Sequence, residues 1–385
     1  MTATQLETDR ADRTAGVGPT RVGLIDVQLT TTPRTEDERA ALMADPGFGR
    51  VHTDHMVAIR WTAESGWHDA RLSAYAPLAL DPSAMVLHYG QAIFEGLKAY
   101  RQADGGVAIF RPEENAHRFN RSAHRLAMPE LPPELFLAAV DELVSADLAW
   151  VPTAEGQSLY LRPFMIATEA QVGMRPAQEY LFLLIAFPVT PFFPGEVKPV
   201  TVWLSDEYVR AAVGGTGEAK CAGNYAGSLL AQRQAAEQGC DQVVWLDAVE
   251  RRWVEEMGGM NLFFVMGRPG EQARLLTPAL TGTLLPGVVR DSLLALAPEL
   301  GLPVEEGRLS AQEWRDGCLD GSIREVFACG TAAVIAPVGH AKSASGDWSV
   351  GDGGAGPVTM RLREALLDLQ YGRTPDSHGW MRPVG

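Results

Sequence analysis

The chain has 385 residues, of which 46% are hydrophobic, and its 33 basic against 48 acidic residues give a formal net charge of −15. That length has room for two cores, and that charge argues against DNA, RNA or another polyanion as a partner. Cys221, Cys240, Cys318 and Cys329 form no CxxC pair and no zinc spacing, so they read as reduced cytosolic thiols, and no run has the length of a membrane-spanning helix.

Residues 1–20 carry early acids and no apolar core; they read as a disordered tail, neither a signal peptide nor a transit peptide. His52 and His55 have the look of a metal pair, yet on a strand they would point to opposite faces, and no third ligand is evident. DHMVAIRWT at 54–62 and SLYLRPFMIAT at 158–168 alternate or cluster as strands do. Between them the spacing predicts a helix over 132–151, with Phe136, Val140, Leu143 and Asp147 on one line and Pro132 and Pro133 in its first turn. YLFLLIAFPV at 180–189 is a continuous apolar run, expected to be a strand buried on both faces. Three prolines and a glycine within 190–199 mark a linker, so the expected division is a small α/β domain at 21–189, a linker at 190–200 and a large domain at 201–385.

Past the linker, VTVWLS, DQVVWLDA and NLFFVMG read as strands. NYAGSLLAQRQAAEQG at 224–239 reads as one helix stopped by Gly239, and PGVVRDSLLALA at 286–297 as another. Ser310 followed by Glu313 forms a capping box for a helix starting near 311, and EVFACGTAAVIAPV at 325–338 reads as a strand and turn. Elements of both kinds on each side of the linker make the fold class α+β.

GGTGEAKCAGNY at 214–225 places Lys220 in a glycine-rich run with two readings: a phosphate-cradling loop or a covalent anchor. The loop pattern G-x-x-x-x-G-K-[ST] fails at Ala219 and Cys221, the positions of its second glycine and its hydroxyl. A lysine beside small residues, leading into a helix, suits a nucleophile that meets a planar cofactor, although from this segment alone a solvated loop lysine is the favoured reading. Glu255 and Glu256 stand directly against NLFFV, where an acid is costly unless a cation meets it. A protonated pyridine nitrogen would be such a cation, and a solvated hairpin tip is the plainer alternative. Val288 and Val289 open a helix with free N–H groups, an anion site. Arg111, Arg118, Arg121 and Arg125 lie on one predicted helix, and any of them could clamp a phosphate. GDGGAG at 351–356 fits a dinucleotide fingerprint but follows no apolar strand.

From PGFGRVHTDHM to the C-terminus, LHYGQAIFEGLKAYR, LYLRPFMIATE, GGTGEAKCAGNYAGSLLAQ, GCDQVVWLDAVERRWVEEMGGMNLFFV, LTGTLLPGVVRDS and EVFACGTAAVIAPV resemble, in order, the branched-chain amino acid aminotransferases. The resemblance, closest to the actinobacterial type, implies a two-domain fold-type-IV architecture, like that of D-amino acid aminotransferase, with pyridoxal 5'-phosphate held in the large domain. It implies that Lys220 is the covalent anchor and proton carrier, that Glu256 faces the pyridine nitrogen and that Tyr225 faces the phenolic oxygen. It assigns Arg118 and the N–H groups of Val288 and Val289 to the phosphate, Leu285 to the ring face, and Thr331 and Ala332 to the substrate carboxylate. Tyr89, Phe94, Tyr160 and Arg162 match the substrate pocket. The implied reaction exchanges an amino group between leucine, isoleucine or valine and 2-oxoglutarate, in a cytoplasmic homodimer, with no metal, nucleic acid or membrane involved. The same fold also serves D-amino acid transaminases, aminodeoxychorismate lyases and specialised biosynthetic transaminases; a nucleotide-binding or non-catalytic module is the rival from another class. Ala222, Phe192, His52 and Gly259 depart from the pattern of relatives, and Ala333 and Ala336 stand where mammalian relatives carry a redox CxxC.

Overall fold

The structure, a computed structural model, describes residues 24–191 and 195–384. The expected tail at 1–20 and Phe192 lie outside the described residues. Two nine-stranded sheets organise the chain. In the first, Glu179–Val189 pairs antiparallel with both Ser158–Ala167 and His55–Thr62, and it is buried along almost its whole length, as its unbroken apolar sequence requires. The helices Pro112–Arg125 and Pro133–Ala146 cover one face, and Phe119, Phe136 and Phe182 meet edge-on or tilted in the core between. Pro133–Ala146 ends one residue before Asp147, which is buried and bonds His55 through its ring Nδ1 (2.7 Å) and its backbone N–H (3.1 Å). His55 is thus a structural core residue.

The second sheet is mixed. Val200–Ser205 runs parallel to both Gln242–Leu246 and Val334–Ser343, and a further pairing of Val254–Met257 with Met260–Met266 closes a ring of strands. Trp314, Leu262, Phe264 and Val326 pack in one apolar cluster, and the helices Val288–Glu299 and Pro357–Gln370 cover another. Thr35 with Glu38 and Ser310 with Glu313 both form reciprocal capping boxes.

The helix expected over 224–239 is two helices, Ala222–Ala226 and Leu229–Glu237. Gly227 ends the first, and the Ser228 hydroxyl donates to the Tyr225 carbonyl at 2.7 Å, an alternative to the helical ladder that breaks the run. Gly239, at φ +68°, stops the second. Met381–Val384 leaves the second sheet behind and pairs antiparallel with Val107–Phe110 at the edge of the first.

Candidate active site

The site forms where the two sheets meet. Loop 214–220 is pinned by Asn224, whose amide donates to the Thr216 and Ala219 carbonyls (2.8 and 2.9 Å) and accepts from the Thr216 hydroxyl (2.7 Å). Lys220 is fastened through both its backbone polar groups, one to the helix Pro112–Arg125 and one to the first sheet. Its N–H donates to Ser122 Oγ at 2.9 Å, and its carbonyl accepts from the Phe94 N–H at 3.0 Å. With the backbone fixed this way, Lys220 Nζ donates to Tyr225 Oη at 3.0 Å and lies 4.9 Å from the centre of the Phe94 ring.

Lys220 opens into a cavity of about 210 Å³ whose walls include Phe94, Arg118, Tyr160, Arg162, Tyr225 and Leu285. Val288, Val289, Thr331 and Ala332 also face it. Glu256 lies on an adjoining lobe of about 140 Å³ that shares Tyr225, Gly259 and Leu285 with the first. Strand alternation sends Glu256 to this side and Glu255 to the other. Tyr89 is not brought to the cavity: it is 46% exposed, and its hydroxyl donates to the Val172 carbonyl at 3.0 Å.

Three groups hold Glu256, which is 1% exposed. Leu285 N–H (2.5 Å) and Asn261 Nδ2 (3.3 Å) donate to Oε1, and Arg210 Nε lies in ion-pair range of Oε2 at 3.1 Å, without the alignment of a hydrogen bond. Burial nonetheless pushes the Glu256 carboxyl above its ordinary range, against the pull of Arg210 and the Leu285 N–H. Its ionised form is therefore under-compensated, and a protonated ring nitrogen would complete it.

Arg118 reaches the cavity from the helix Pro112–Arg125. Glu95, fully buried, grips it in a two-pronged ion pair (2.7 and 2.8 Å) and also accepts from Asn115 Nδ2 at 2.7 Å. Burial pushes the Glu95 carboxyl up, but the Arg118 and Lys220 cations bring it net below the ordinary carboxylate range. Arg118 Nη1 also donates to the Pro286 carbonyl at 3.1 Å, which sets it beside the start of Val288–Glu299, whose first N–H groups have no acceptor within the helix. Gly287 caps it; a Cβ there would collide with Asn261 Oδ1. A guanidinium, a helix N-terminus, a lysine and a buried acid, arranged around Leu285, fit the phosphate, aldehyde and ring nitrogen of pyridoxal phosphate.

Several wall and support residues escape sequence reasoning. Glu95 and Asn115 lie in or near the quoted blocks but lack any local pattern that pairs them with Arg118. Phe48 packs edge-on against both Tyr160 and Phe187, which stack on each other at 5.0 Å. His52 stacks on Tyr75 at 4.7 Å and touches Phe187 edge-on, one ring removed from the cavity. Of the four arginines 111, 118, 121 and 125, only Arg118 faces the cavity; Arg111 pairs with Asp291. Among the described residues no cluster of His, Cys, Asp or Glu suits a metal, and no helix is long and apolar enough to cross a membrane.

Residues 92–341 match a family model described as amino-transferase class IV. The chain is 59% identical over 356 residues to a branched-chain-amino-acid aminotransferase of Mycolicibacterium smegmatis, covering 92% of this chain and 96% of that one. It is 58% identical to a probable branched-chain-amino-acid aminotransferase of Streptomyces coelicolor, covering 94% and 98%. Its backbone resembles the crystal structure of the Escherichia coli branched-chain amino acid aminotransferase, with a TM-score of 0.70 and 28% identity over 85% of this chain and 99% of that one. It also resembles the branched-chain amino acid aminotransferase of Thermobaculum terrenum crystallised in its PLP-bound holo form, with a TM-score of 0.68 and 25% identity over 86% and 98%.

Proposed function

The chain belongs to the class IV aminotransferases, and on that premise we propose how its residues divide the work. It is a pyridoxal-phosphate-dependent branched-chain-amino-acid aminotransferase, passing the amino group of leucine, isoleucine or valine to 2-oxoglutarate. Bound pyridoxal phosphate supplies an aldehyde to receive the amino group and a ring to take up the electron pair released at the substrate α-carbon. The observation that carries the assignment of roles is the placement of Lys220 Nζ and Glu256 on adjoining lobes of one cavity, with Arg118 and a helix N-terminus on its walls.

Lys220 would hold the cofactor and would carry the α-proton on Nζ; the Tyr225 hydroxyl, accepting from Nζ at 3.0 Å, orients it. Arg210 and the Leu285 N–H only partly offset the burial of Glu256; a protonated ring nitrogen would complete its ionised form, and Glu256 would in turn keep that nitrogen protonated. Arg118, fixed by Glu95, and the N–H groups of Val288 and Val289 would hold the phosphate, and Leu285 would pack against the ring. Thr331 and Ala332 receive the α-carboxylate. Phe94 and Tyr160 form the apolar wall for a branched side chain. Arg162, whose guanidinium lies 5.0 Å from the centre of the Phe94 ring and 5.4 Å from that of Tyr160, meets the second carboxylate of glutamate. One pocket thus serves both substrates in turn.

Tyr89 has no place in its own chain's pocket. It shares an exposed patch with Leu87, Val172 and Met174, 46–85% exposed, and we assign that patch to a homodimer in which Tyr89 reaches the partner's pocket. The four free cysteines support a reducing, cytoplasmic setting. Lys220→Ala tests the assignment: transamination should fall by about 10⁴-fold or more, and borohydride should no longer fix the cofactor to the chain. Near-wild-type turnover in that variant would refute it.

A further inference from the structure

A second cavity lies behind the first. It has a volume of about 220 Å³, equal in scale to the lobe at Lys220, and shares none of that lobe's residues. Its walls are mostly apolar, among them Val213, Val249, Pro278 and Leu284, with Trp253 alongside. Glu255 lines it as Glu256 lines the cofactor lobe, because consecutive residues of Val254–Met257 face opposite ways. Glu255 is 5% exposed. Its Oε1 accepts from the Thr283 hydroxyl at 2.5 Å, and Oε2 has no hydrogen-bond partner among the described residues.

We propose that this cavity is a binding site for an aliphatic α-amino acid, whose ammonium meets Glu255 and whose carboxylate meets Arg308. Two other acids line the cavity, but both are engaged: Asp247 accepts from four backbone N–H groups and Glu250 from Trp253 Nε1. Glu255, a buried acid with a free oxygen, is a costly arrangement that a desolvated cation would relieve. Arg308 lines the same cavity from an exposed position, 5.6 Å from the centre of the Trp253 ring, where a guanidinium is held without being neutralised. Between the two charges, Val213, Val249 and Leu284 offer contact to a branched side chain. Burial pushes the Glu255 carboxyl up, with Asp247 adding to the effect while Thr283 and Arg210 oppose it; an ammonium against it would bring it down.

The site is wired to the catalytic one. Thr283 bonds Glu255, and two residues on, the Leu285 N–H bonds Glu256. Arg210 donates to the Thr283 carbonyl and pairs with Glu256. An occupant drawing on Glu255 therefore pulls on the segment that holds the cofactor's acid, which gives an amino acid a route to modulate its own turnover.

The test is a count of L-leucine sites on borohydride-reduced holoenzyme, which binds amino acids without consuming them, by isothermal titration calorimetry. Val213 is 75% exposed, so Val213→Trp fills the cavity without overpacking a core. It should remove one leucine site per chain. Glu255→Gln should weaken that same site more than about tenfold. Arg308→Gln should weaken L-leucine there while leaving 3-methylbutylamine, which has no carboxylate, unchanged. An unaltered site count in Val213→Trp, unaltered affinity in Glu255→Gln, or an equal response of the two probes to Arg308→Gln would each overturn the proposal.

Discussion

Glu256 must stay ionised in a place that resists ionisation, and its three supports come from three segments of chain: Arg210, Asn261 and Leu285. Glu256→Gln keeps the shape and removes the charge. We expect the α-proton transfer, followed by stopped-flow single turnover with leucine, to slow by about 10²–10³-fold. Cofactor affinity should change less than about tenfold, since the phosphate holds independently; equal losses in both would contradict the role. Lys98 is a second buried charge. Its Nζ donates to the Ala332 carbonyl at 3.0 Å, and burial, helped by the nearby Arg363 cation, pushes its pKa down to about 7. Between that value and its ordinary 10.5 the unfolded chain binds more protons than the folded one, so stability rises with pH across the window. Wild type should therefore gain melting temperature relative to Lys98→Met as pH climbs from 7 toward 10, and parallel curves would show that Lys98 does not titrate there. Neither Lys98 nor Glu95 was legible in advance. A lysine and a glutamate in GQAIFEGLKAY have no periodicity to mark them as buried, and their partners, Ala332 and Arg118, lie in other segments. Lys220 and Glu256 stood out because small residues and an apolar strand lie beside them, but only the family resemblance gave them roles.

Elements were most readable where the signal is local. The capping box at Ser310 needs only four residues, and it closes as expected: Ser310 Oγ accepts from the Glu313 N–H at 3.1 Å, while the Glu313 carboxylate accepts from the Ser310 N–H at 2.8 Å. Ser310→Ala should cost about 1 kcal/mol in chemical denaturation with kcat unchanged, because the helix Ala311–Asp320 lines no part of the cavity at Lys220; an altered kcat would mean that the helix reaches the site. The break at Gly227 was hidden by the strongly helix-forming run of Leu, Ala and Gln that follows it, and the Ser228 side chain that makes it competes only once Tyr225 is fixed. Glu179–Val189 lies at the other extreme: an unbroken run of apolar residues leaves a strand no solvent face to choose.

At the scale of the whole molecule, the apolar runs and the proline-rich segment announce two bodies, but not how the chain closes them. Met381–Val384 returns to the first sheet, and Arg382 pairs with Asp141 at 2.7 Å on the helix Pro133–Ala146. A short segment that contains a proline carries no strand signal by itself; only the waiting edge at Val107–Phe110 makes it one. Removing residues 381–385 should lower the melting temperature by about 5 °C and loosen cofactor binding, read by the rate at which gel-filtered holoenzyme loses its absorbance. An unchanged melting temperature would show that the returning strand contributes nothing.

That same return has a consequence for biosynthesis. Chains emerge from the ribosome N-terminus first, and the first sheet has all its strands but this one long before the second is finished. Until Met381–Val384 arrives, Val107–Phe110 presents an unpaired border to every nascent neighbour on a polysome. The interval between translating the two strands is thus a period of vulnerability to intermolecular pairing, and slow synthesis of the second half would lengthen it.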